Sequence, residues 1–150
     1  MSDVTPRVPA IPPRWMPIGE DPELCSAGQW WDAIRAVEVA GRRAIELLRE
    51  DGAAVGPVIL DPGGPEPRLY FLVPSGTAAD WEEPGTVPLG QRCHVVVPPA
   101  GVTEPPGLHW HVLPRGPRSL TQPGPLRKAL GQARREGSGQ AEAAADSGRS

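Results

Sequence analysis

Proline and glycine interrupt this chain so often that only short stretches of regular structure fit between them. The 150 residues include 21 Pro and 18 Gly, more than a quarter of the total. Proline fixes φ and removes a hydrogen-bond donor, and glycine favours turns, so this composition leans toward irregular structure. Apolar residues still make up 39% of the chain. We therefore expect one domain with a modest core and loose ends.

Three regions follow from the distribution of residue types. Residues 1–23 hold six prolines and are predicted to form an extended arm with Trp15 as an anchor. Pro9-Ala-Ile-Pro12 also has the spacing of a Pro-rich ligand for a partner domain, an alternative that such common spacing supports weakly. Residues 24–133 carry the periodic apolar patterns and are predicted to be the folded domain. Residues 134–150 are rich in Gly, Ser, Ala and charge and are predicted to be a disordered tail.

One segment has the periodicity of an amphipathic helix. Apolar residues recur at three- and four-residue steps from Val37 to Leu48, and Glu38 and Arg42 stand four apart on the other face. Asp51-Gly52 should end the helix because glycine accepts the left-handed turn. We predict a short strand over 31–35 and a helix over 36–50. The alternative is a longer helix that begins at Ala33 with Asp32 as its cap.

Short apolar runs bounded by proline or glycine predict the strands. Residues 56–60 and 68–73 are expected to form a hairpin through the turn at 61–65. The valines of 95–97 indicate a strand buried on both faces, and 108–113 a fourth strand. Residues 74–90 are expected to be a loop with one helical turn near 77–81, and residues 126–130 a short closing helix. The predicted fold is α+β, with a small, mostly antiparallel sheet of four or five strands.

Charge and cysteine content restrict the class of protein. A net charge of −3 argues against a strongly electrostatic nucleic-acid binder. The N-terminus lacks a signal-peptide pattern, and no apolar run is long enough to span a bilayer. Cys25 and Cys93 are far apart in sequence, fit no metal spacing and are expected to be free thiols. We expect a cytoplasmic protein without a membrane partner.

The histidines suggest a metal site only weakly. His109 and His111 share one face of a predicted strand, and His94 or Cys93 could add a zinc ligand. Only one of these two can join, because neighbouring residues on a strand point to opposite faces. The same divergence disfavours a Cys–His nucleophile pair. We favour a surface or partly buried histidine pair and predict no metal ligands.

One local region is basic. It contains Arg115, Arg118, Arg127, Lys128, Arg134 and Arg135, with no acid before Glu136. These cations could contact nucleic-acid phosphates while Trp110 or Trp81 stacks on a base. A solvated helix face is the simpler interpretation. The candidate nucleic-acid contacts are Arg115, Arg118, Arg127, Lys128 and Trp110.

The order of these segments resembles a known family. The similar stretches are Trp31-Asp-Ala-Ile-Arg35 with the helix that follows it, Arg68-Leu-Tyr-Phe-Leu-Val-Pro74, His94-Val-Val-Val-Pro-Pro99 and Leu108-His-Trp110. Together they cover residues 28–114. In this order and spacing they are similar to the N-terminal domain of bifunctional DNA primase/polymerase proteins, which belong to the archaeo-eukaryotic primase superfamily.

The resemblance implies a metal-dependent phosphoryl transfer whose acids this chain lacks. Family members hold divalent metal with two acids spaced two apart at the end of the first strand. Arg35 and Val37 occupy those positions here, or Ala36 and Glu38 in a shifted alignment. A family histidine that contacts nucleotide phosphates corresponds to Arg68. The resemblance therefore implies phosphate contacts at Arg68 and Arg35, no catalytic residues, and Mg²⁺ or Mn²⁺ only if the chain were active.

Two hypotheses about function follow. The first is a non-catalytic primase/polymerase-like domain with a nucleic-acid-associated accessory role, whose partner is DNA or a replication protein. The second is a small interaction or structural protein that keeps the fold without binding nucleic acid. An acidic sheet face around Glu38 and Asp61 would favour the second hypothesis.

Overall fold

Seven strands and two α-helices make up the part of the chain that the structure describes. This computed structural model describes residues 15–17, 19–115 and 119–149, with the backbone alone from residue 138 onward. The elements in chain order are β1 (Glu23–Ser26), β2 (Asp32–Val37), α1 (Glu38–Glu50), β3 (Val58–Asp61), β4 (Arg68–Val73), a 3-10 turn (Thr77–Asp80), β5 (Thr86–Leu89), β6 (His94–Val97), β7 (His109–Val112) and α2 (Pro123–Arg149).

Five strands form an antiparallel sheet, which confirms the predicted α+β class. Their order is β5-β2-β4-β3-β7. The predicted hairpin is β3–β4, in which Ile59 lies opposite Tyr70 and Asp61 opposite Arg68. Asp61 Oδ1 accepts a hydrogen bond from the backbone N–H of Gly63 at 2.9 Å, which stabilises the turn after β3.

Two strands were missed by the sequence analysis. Strand β5 falls within residues 74–90, which were expected to be a loop, and it contains Pro88. Proline cannot donate a ladder hydrogen bond, but β5 is an edge strand, where the missing N–H can face solvent. Strand β1 begins at Glu23, the last residue of the predicted arm, and has no alternating apolar pattern.

Strand β6 lies in a second sheet, so the prediction that it is buried on both faces is wrong. It pairs with β1 alone, in antiparallel register. Val95 and Val97 are buried, whereas His94 and Val96 between them are exposed. A two-stranded sheet that packs on the main sheet can bury only its inner face.

One face of the main sheet packs against the helices. Ile34, Phe71 and Leu60 from the strands meet Leu48 of α1 and Leu126 of α2 in one buried cluster. Helix α1 begins at Glu38 and ends before Gly52, whose φ of +75° permits the left-handed turn. The predicted helix over 36–50 is therefore confirmed to within two residues.

The other face of the main sheet is partly covered by the small sheet and by the end of the arm. Trp15 packs edge-on against Trp31, with ring centroids 5.8 Å apart, and lies 5.9 Å from the ring of Trp110. All three side chains are buried together with Val95 and Val97. Trp15 therefore anchors the chain as predicted. Residues 1–14, including Pro9-Ala-Ile-Pro12, lie outside the described residues.

Helix α2 is longer than the short closing helix that the sequence predicts. Its backbone runs from Pro123 to Arg149, through the residues expected to form a disordered tail. Leu126, Ala129, Leu130 and Ala133 continue one buried stripe over two turns. Glu136 then accepts a hydrogen bond from Arg43 Nε of α1 at 2.8 Å. This contact between helices supports α2 beyond the point where its apolar pattern ends.

None of the described helices has the length and apolar character that a bilayer crossing requires.

Candidate functional site

Arg35 and Arg68 lie close together on the open part of the sheet. In the β2–β4 ladder Arg35 lies opposite Tyr70, and Val37 lies opposite Arg68. Residues opposite each other project from the same face, so the two arginines are diagonal neighbours on one face. The aromatic cluster around Trp15 covers this face near Ala33 and Leu72. At the arginine end both side chains remain partly exposed.

Arg68 is held in place by the hairpin. Its Nη2 donates to Asp61 Oδ2 at 3.2 Å and to the carbonyl of Gly63 at 3.3 Å. Its Nε–H is buried and has no hydrogen-bond partner among the described residues. A buried donor without an acceptor is costly, so a bound acceptor at this position would stabilise the protein. Arg35 makes no hydrogen bond or ion pair within the described part of the chain.

A cavity of about 240 Å³ adjoins the two arginines. Val37 and Val87 contribute apolar surface to it, and Glu66 contributes one acid. Val37 is also the residue that precedes helix α1, and its side chain makes no capping hydrogen bond. The first N–H groups of a helix carry partial positive charge. The cavity thus brings two guanidinium groups beside the start of a helix, with Glu66 in its lining and Asp61 paired to Arg68 as the opposing acids.

The positions of the expected metal acids differ between the two alignments. Arg35 and Val37 project into the cavity side of the sheet, where the family resemblance would place the acids. In the shifted alignment, Ala36 is buried on the helix side and Glu38 forms an ion pair with Arg42. Within the described ranges, no three His, Cys, Asp or Glu side chains are grouped as metal ligands.

The basic residues of α2 surround a second cavity, of about 480 Å³. Arg127, Lys128 and Arg135 line it together with one acid, Glu83. Arg127 also lies over the ring of Trp81, 5.7 Å from its centroid. Trp81 is itself buried, so it supports the guanidinium rather than offering a free surface for a base.

The structure describes only two of the remaining predicted nucleic-acid contacts, and one of these two is buried. Arg115 is exposed, and Arg118 lies outside the described residues. Trp110 is only 1% exposed, and its Nε1–H donates to the carbonyl of Pro98 at 2.9 Å. The prediction that Trp110 stacks on a base is therefore wrong. Its strand lies against the aromatic cluster, where the ring contributes to the core.

A short loop connects the two basic cavities. Gly85 lines the cavity beside Arg35 and Arg68, and a Cβ placed on it would lie 3.7 Å from Cδ of Arg134. Arg134 Nε lies 3.7 Å from Glu83 Oε2, and Glu83 lines the cavity on α2. The loop at 83–85 therefore lies between the two cavities, whose cations come from distant parts of the chain.

His94 does not join the other two histidines. His109 and His111 line a cavity between β7 and α1, as their spacing predicts, whereas His94 is exposed on the small sheet. Cys25 and Cys93 are both free thiols. Burial raises the pKa of the Cys25 thiol, and the nearby Glu23 raises it further. A raised pKa keeps the thiol protonated and makes it a poor nucleophile.

Asp32 is a buried residue of β2, so the predicted strand is confirmed and the alternative of a helix that begins at Ala33 is wrong. It is 2% exposed and, instead of capping a helix that begins at Ala33, binds a distant turn. Its Oδ2 accepts hydrogen bonds from the backbone N–H groups of Gly76 and Ala78, both at 2.9 Å. A charged residue within the apolar run 31–34 was the available signal, because a buried carboxylate requires donors.

Comparisons with protein-family models, with curated proteins and with solved structures found no significant match.

Proposed function

We propose that this chain is a non-catalytic primase/polymerase-like domain that binds the phosphates of nucleic acid. The observation that carries the proposal is the juxtaposition of Arg35 and Arg68 on one sheet face beside the N-terminus of α1. Arginine presents a planar fork of donors that matches phosphate oxygens. The unpartnered Nε–H of Arg68 provides a donor that a phosphate oxygen would satisfy.

The proposed binding surface extends from these arginines to α2. Phosphates along a single strand repeat at regular intervals, so a nucleic-acid surface needs several separated cations. Arg134 beside Gly85, followed by Arg127, Lys128 and Arg135, supplies them on the far side of the loop at 83–85. Phosphate contacts of this kind position a strand without reading its sequence.

Ion pairs remove the acidic surface that would have favoured a purely structural role. An acidic face around Glu38 and Asp61 would have supported an interaction protein that does not bind nucleic acid. Each of these acids is instead paired with an arginine, Glu38 with Arg42 and Asp61 with Arg68. The two acids therefore add little net negative potential there.

Fluorescence anisotropy of a short, labelled single-stranded DNA tests the proposal. The chain should bind at low salt and release the strand as salt rises, because phosphate contacts displace counterions. Arg35→Gln should weaken binding and reduce the slope of log affinity against log salt by about 0.7, the value for one lost contact to a single strand. Arg35 suits this test because it makes no internal ion pair among the described residues.

Arg49→Gln is the matched control. It removes the same charge from an exposed position near the end of α1, away from both cavities. The proposal predicts that this variant binds almost as well as the wild type. Absence of binding at low salt, or equal losses in the two variants, would rule out a site at Arg35 and Arg68.

A further inference from the structure

A cavity of about 540 Å³ lies at the end of the main sheet where β2 begins and where β4 and β5 end. Asp32 lies opposite Val73 at this end, whereas Val37 lies opposite Arg68 at the other end of the β2–β4 ladder. None of the residues that line this cavity also lines the cavity beside Arg35 or the one on α2. The cavity is therefore separate from the proposed nucleic-acid surface.

Glycines allow the chain to close around this cavity. Gly28 has a φ of +102°, and a Cβ placed on it would lie 2.8 Å from Cγ of Gln91. A Cβ placed on Gly90 would lie 2.9 Å from the Cβ of Ala78 and 3.5 Å from Oδ2 of Asp32. Because these two positions lack side chains, the loops before β2 and after β5 approach the 3-10 turn closely and place polar groups around one space.

The carboxylate of Asp32 is part of this lining and lacks one of its hydrogen-bond partners. Its Oδ2 accepts from the backbone N–H groups of Gly76 and Ala78, which also line the cavity. Hydrogen bonds of this kind favour the charged carboxylate over the neutral acid. Oδ1 is enclosed and has no partner among the described residues, and a buried acceptor without a donor is costly. A cationic donor bound in this cavity would therefore be stabilised by Asp32.

The other polar side chains of the lining supply mainly acceptors. The hydroxyl of Ser75 donates to the carbonyl oxygen of Gly28, so the hydroxyl oxygen is left to accept. Gln91 is exposed and makes no side-chain hydrogen bond within the described part of the chain, so its carbonyl oxygen is free to accept as well. Among the residues of the lining, Asp32 alone is charged. A cation with several donors and no acceptor matches this set of groups.

We propose that this cavity binds a small primary alkylammonium ion. An ammonium group has three donors and no acceptor, and it would pair with the charge of Asp32 while Ser75 and Gln91 accept from it at the exposed rim. Its alkyl chain would lie against Ala79 and Pro88, which give the lining apolar surface. A divalent metal ion fits less well, because the described ranges contain no group of three His, Cys, Asp or Glu side chains.

An NMR titration of the full, isotope-labelled chain with n-butylammonium tests the assignment. The comparison ligands are n-butanol, butyrate and tetramethylammonium, each of which lacks either the positive charge or the N–H donors. The proposal predicts saturable binding of n-butylammonium, with shifts of the amide signals of Gly76 and Ala78. The comparison ligands should bind roughly tenfold more weakly or not at all, because each loses a charge-assisted hydrogen bond.

Two variants and one control localise the binding. Asp32→Asn retains the size of the side chain and removes its charge, and it should weaken binding by roughly tenfold. Ala79→Leu enlarges an exposed side chain of the lining and should block the cavity without altering the carboxylate. Ala54→Leu makes the same change at an exposed position that does not line this cavity, and it should bind like the wild type.

Several outcomes would overturn this assignment. They are a lack of saturable binding, equal affinity for n-butanol or tetramethylammonium, and unchanged binding by Ala79→Leu. Tighter binding of Ca²⁺ than of n-butylammonium would indicate a metal site instead. If Asp32→Asn fails to fold, Ala79→Leu and the comparison ligands still decide the question. Binding of DNA is not required for any of these results, so failure here leaves the Arg35–Arg68 proposal untouched.

Discussion

The carboxylate of Asp32, at the first position of β2, binds the backbone N–H groups of Gly76 and Ala78, more than forty residues further along the chain. These two hydrogen bonds fasten the 3-10 turn at Thr77–Asp80 to the beginning of β2 in the main sheet. The other carboxylate oxygen, Oδ1, is buried and has no partner among the described residues. Asp32 therefore determines where the segment between β4 and β5 lies.

Replacement of Asp32 should be costly. Asp32→Ala removes the buried side chain that accepts from two backbone N–H groups, and we expect the free energy of unfolding to fall by about 2–3 kcal/mol. Asp32→Asn retains one acceptor oxygen and should cost about half as much. Chemical denaturation measures both. Asp80→Ala, in the same turn but exposed, is the control and should change stability little; equal losses at the two positions would contradict the role given to Asp32.

Gly56 is required by a close approach of two backbone segments. A Cβ at this position would lie 2.5 Å from the carbonyl carbon of Leu120, and its N–H donates to Thr121 Oγ1 at 2.8 Å. Backbone atoms cannot move aside as a flexible side chain can. Gly56→Ala should therefore lower the free energy of unfolding by about 1–3 kcal/mol. Gly101→Ala, where a Cβ would meet nothing within 4 Å, should be close to neutral.

The ion pair between the helices should give stability a measurable pH dependence. The hydrogen bonds from Arg43 and Gln132 lower the pKa of Glu136 below its ordinary value. A depressed pKa means that the pair contributes stability above the pKa of the unfolded chain and loses it as the pH falls through the lower, folded value. Thermal unfolding of Glu136→Gln should show a small loss at neutral pH that disappears in acid. A loss that persists in acid would indicate another cause.

The chain should not extend a primer with Mg²⁺ or Mn²⁺. Joining nucleotides in this way requires carboxylates that hold metal ions beside the attacking and leaving oxygens. Arg35 and Val37 stand at the strand positions concerned, and Glu38 is engaged by Arg42. The assay measures incorporation of labelled nucleotides next to an active polymerase. Robust incorporation by this chain that Glu38→Ala abolishes would contradict the non-catalytic assignment.

The sequence predicted secondary structure most accurately where the signal lies within a few neighbouring residues. Helix α1 and the β3–β4 hairpin were predicted nearly to the residue, because apolar periodicity and turn residues act over a few positions. The pairing of Glu38 with Arg42, four residues apart on the helix, was predicted for the same reason. Strand β5 was missed because Pro88 argues against a strand unless the strand lies at an edge, which is a property of the whole sheet.

The candidate sites depended more strongly on tertiary structure. The family resemblance drew attention to Arg35 and Arg68, but the β2–β4 register made them neighbours. Trp110 was proposed to stack on a base, but it is buried by packing with Trp15 and Pro98. The approach of Arg134 to Gly85 and of Arg42 to the histidines joins elements that no sequence spacing relates.

The sequence by itself determined helix α1, the β3–β4 hairpin and the turn between its strands, because local dihedral preferences and apolar periodicity are encoded within a few residues. Only the tertiary structure decided which face each strand buries, which cations share a cavity and where the carboxylate of Asp32 finds its donors. Those outcomes depend on strand register and on long-range packing, and the free energy that selects them comes from contacts between residues distant along the chain.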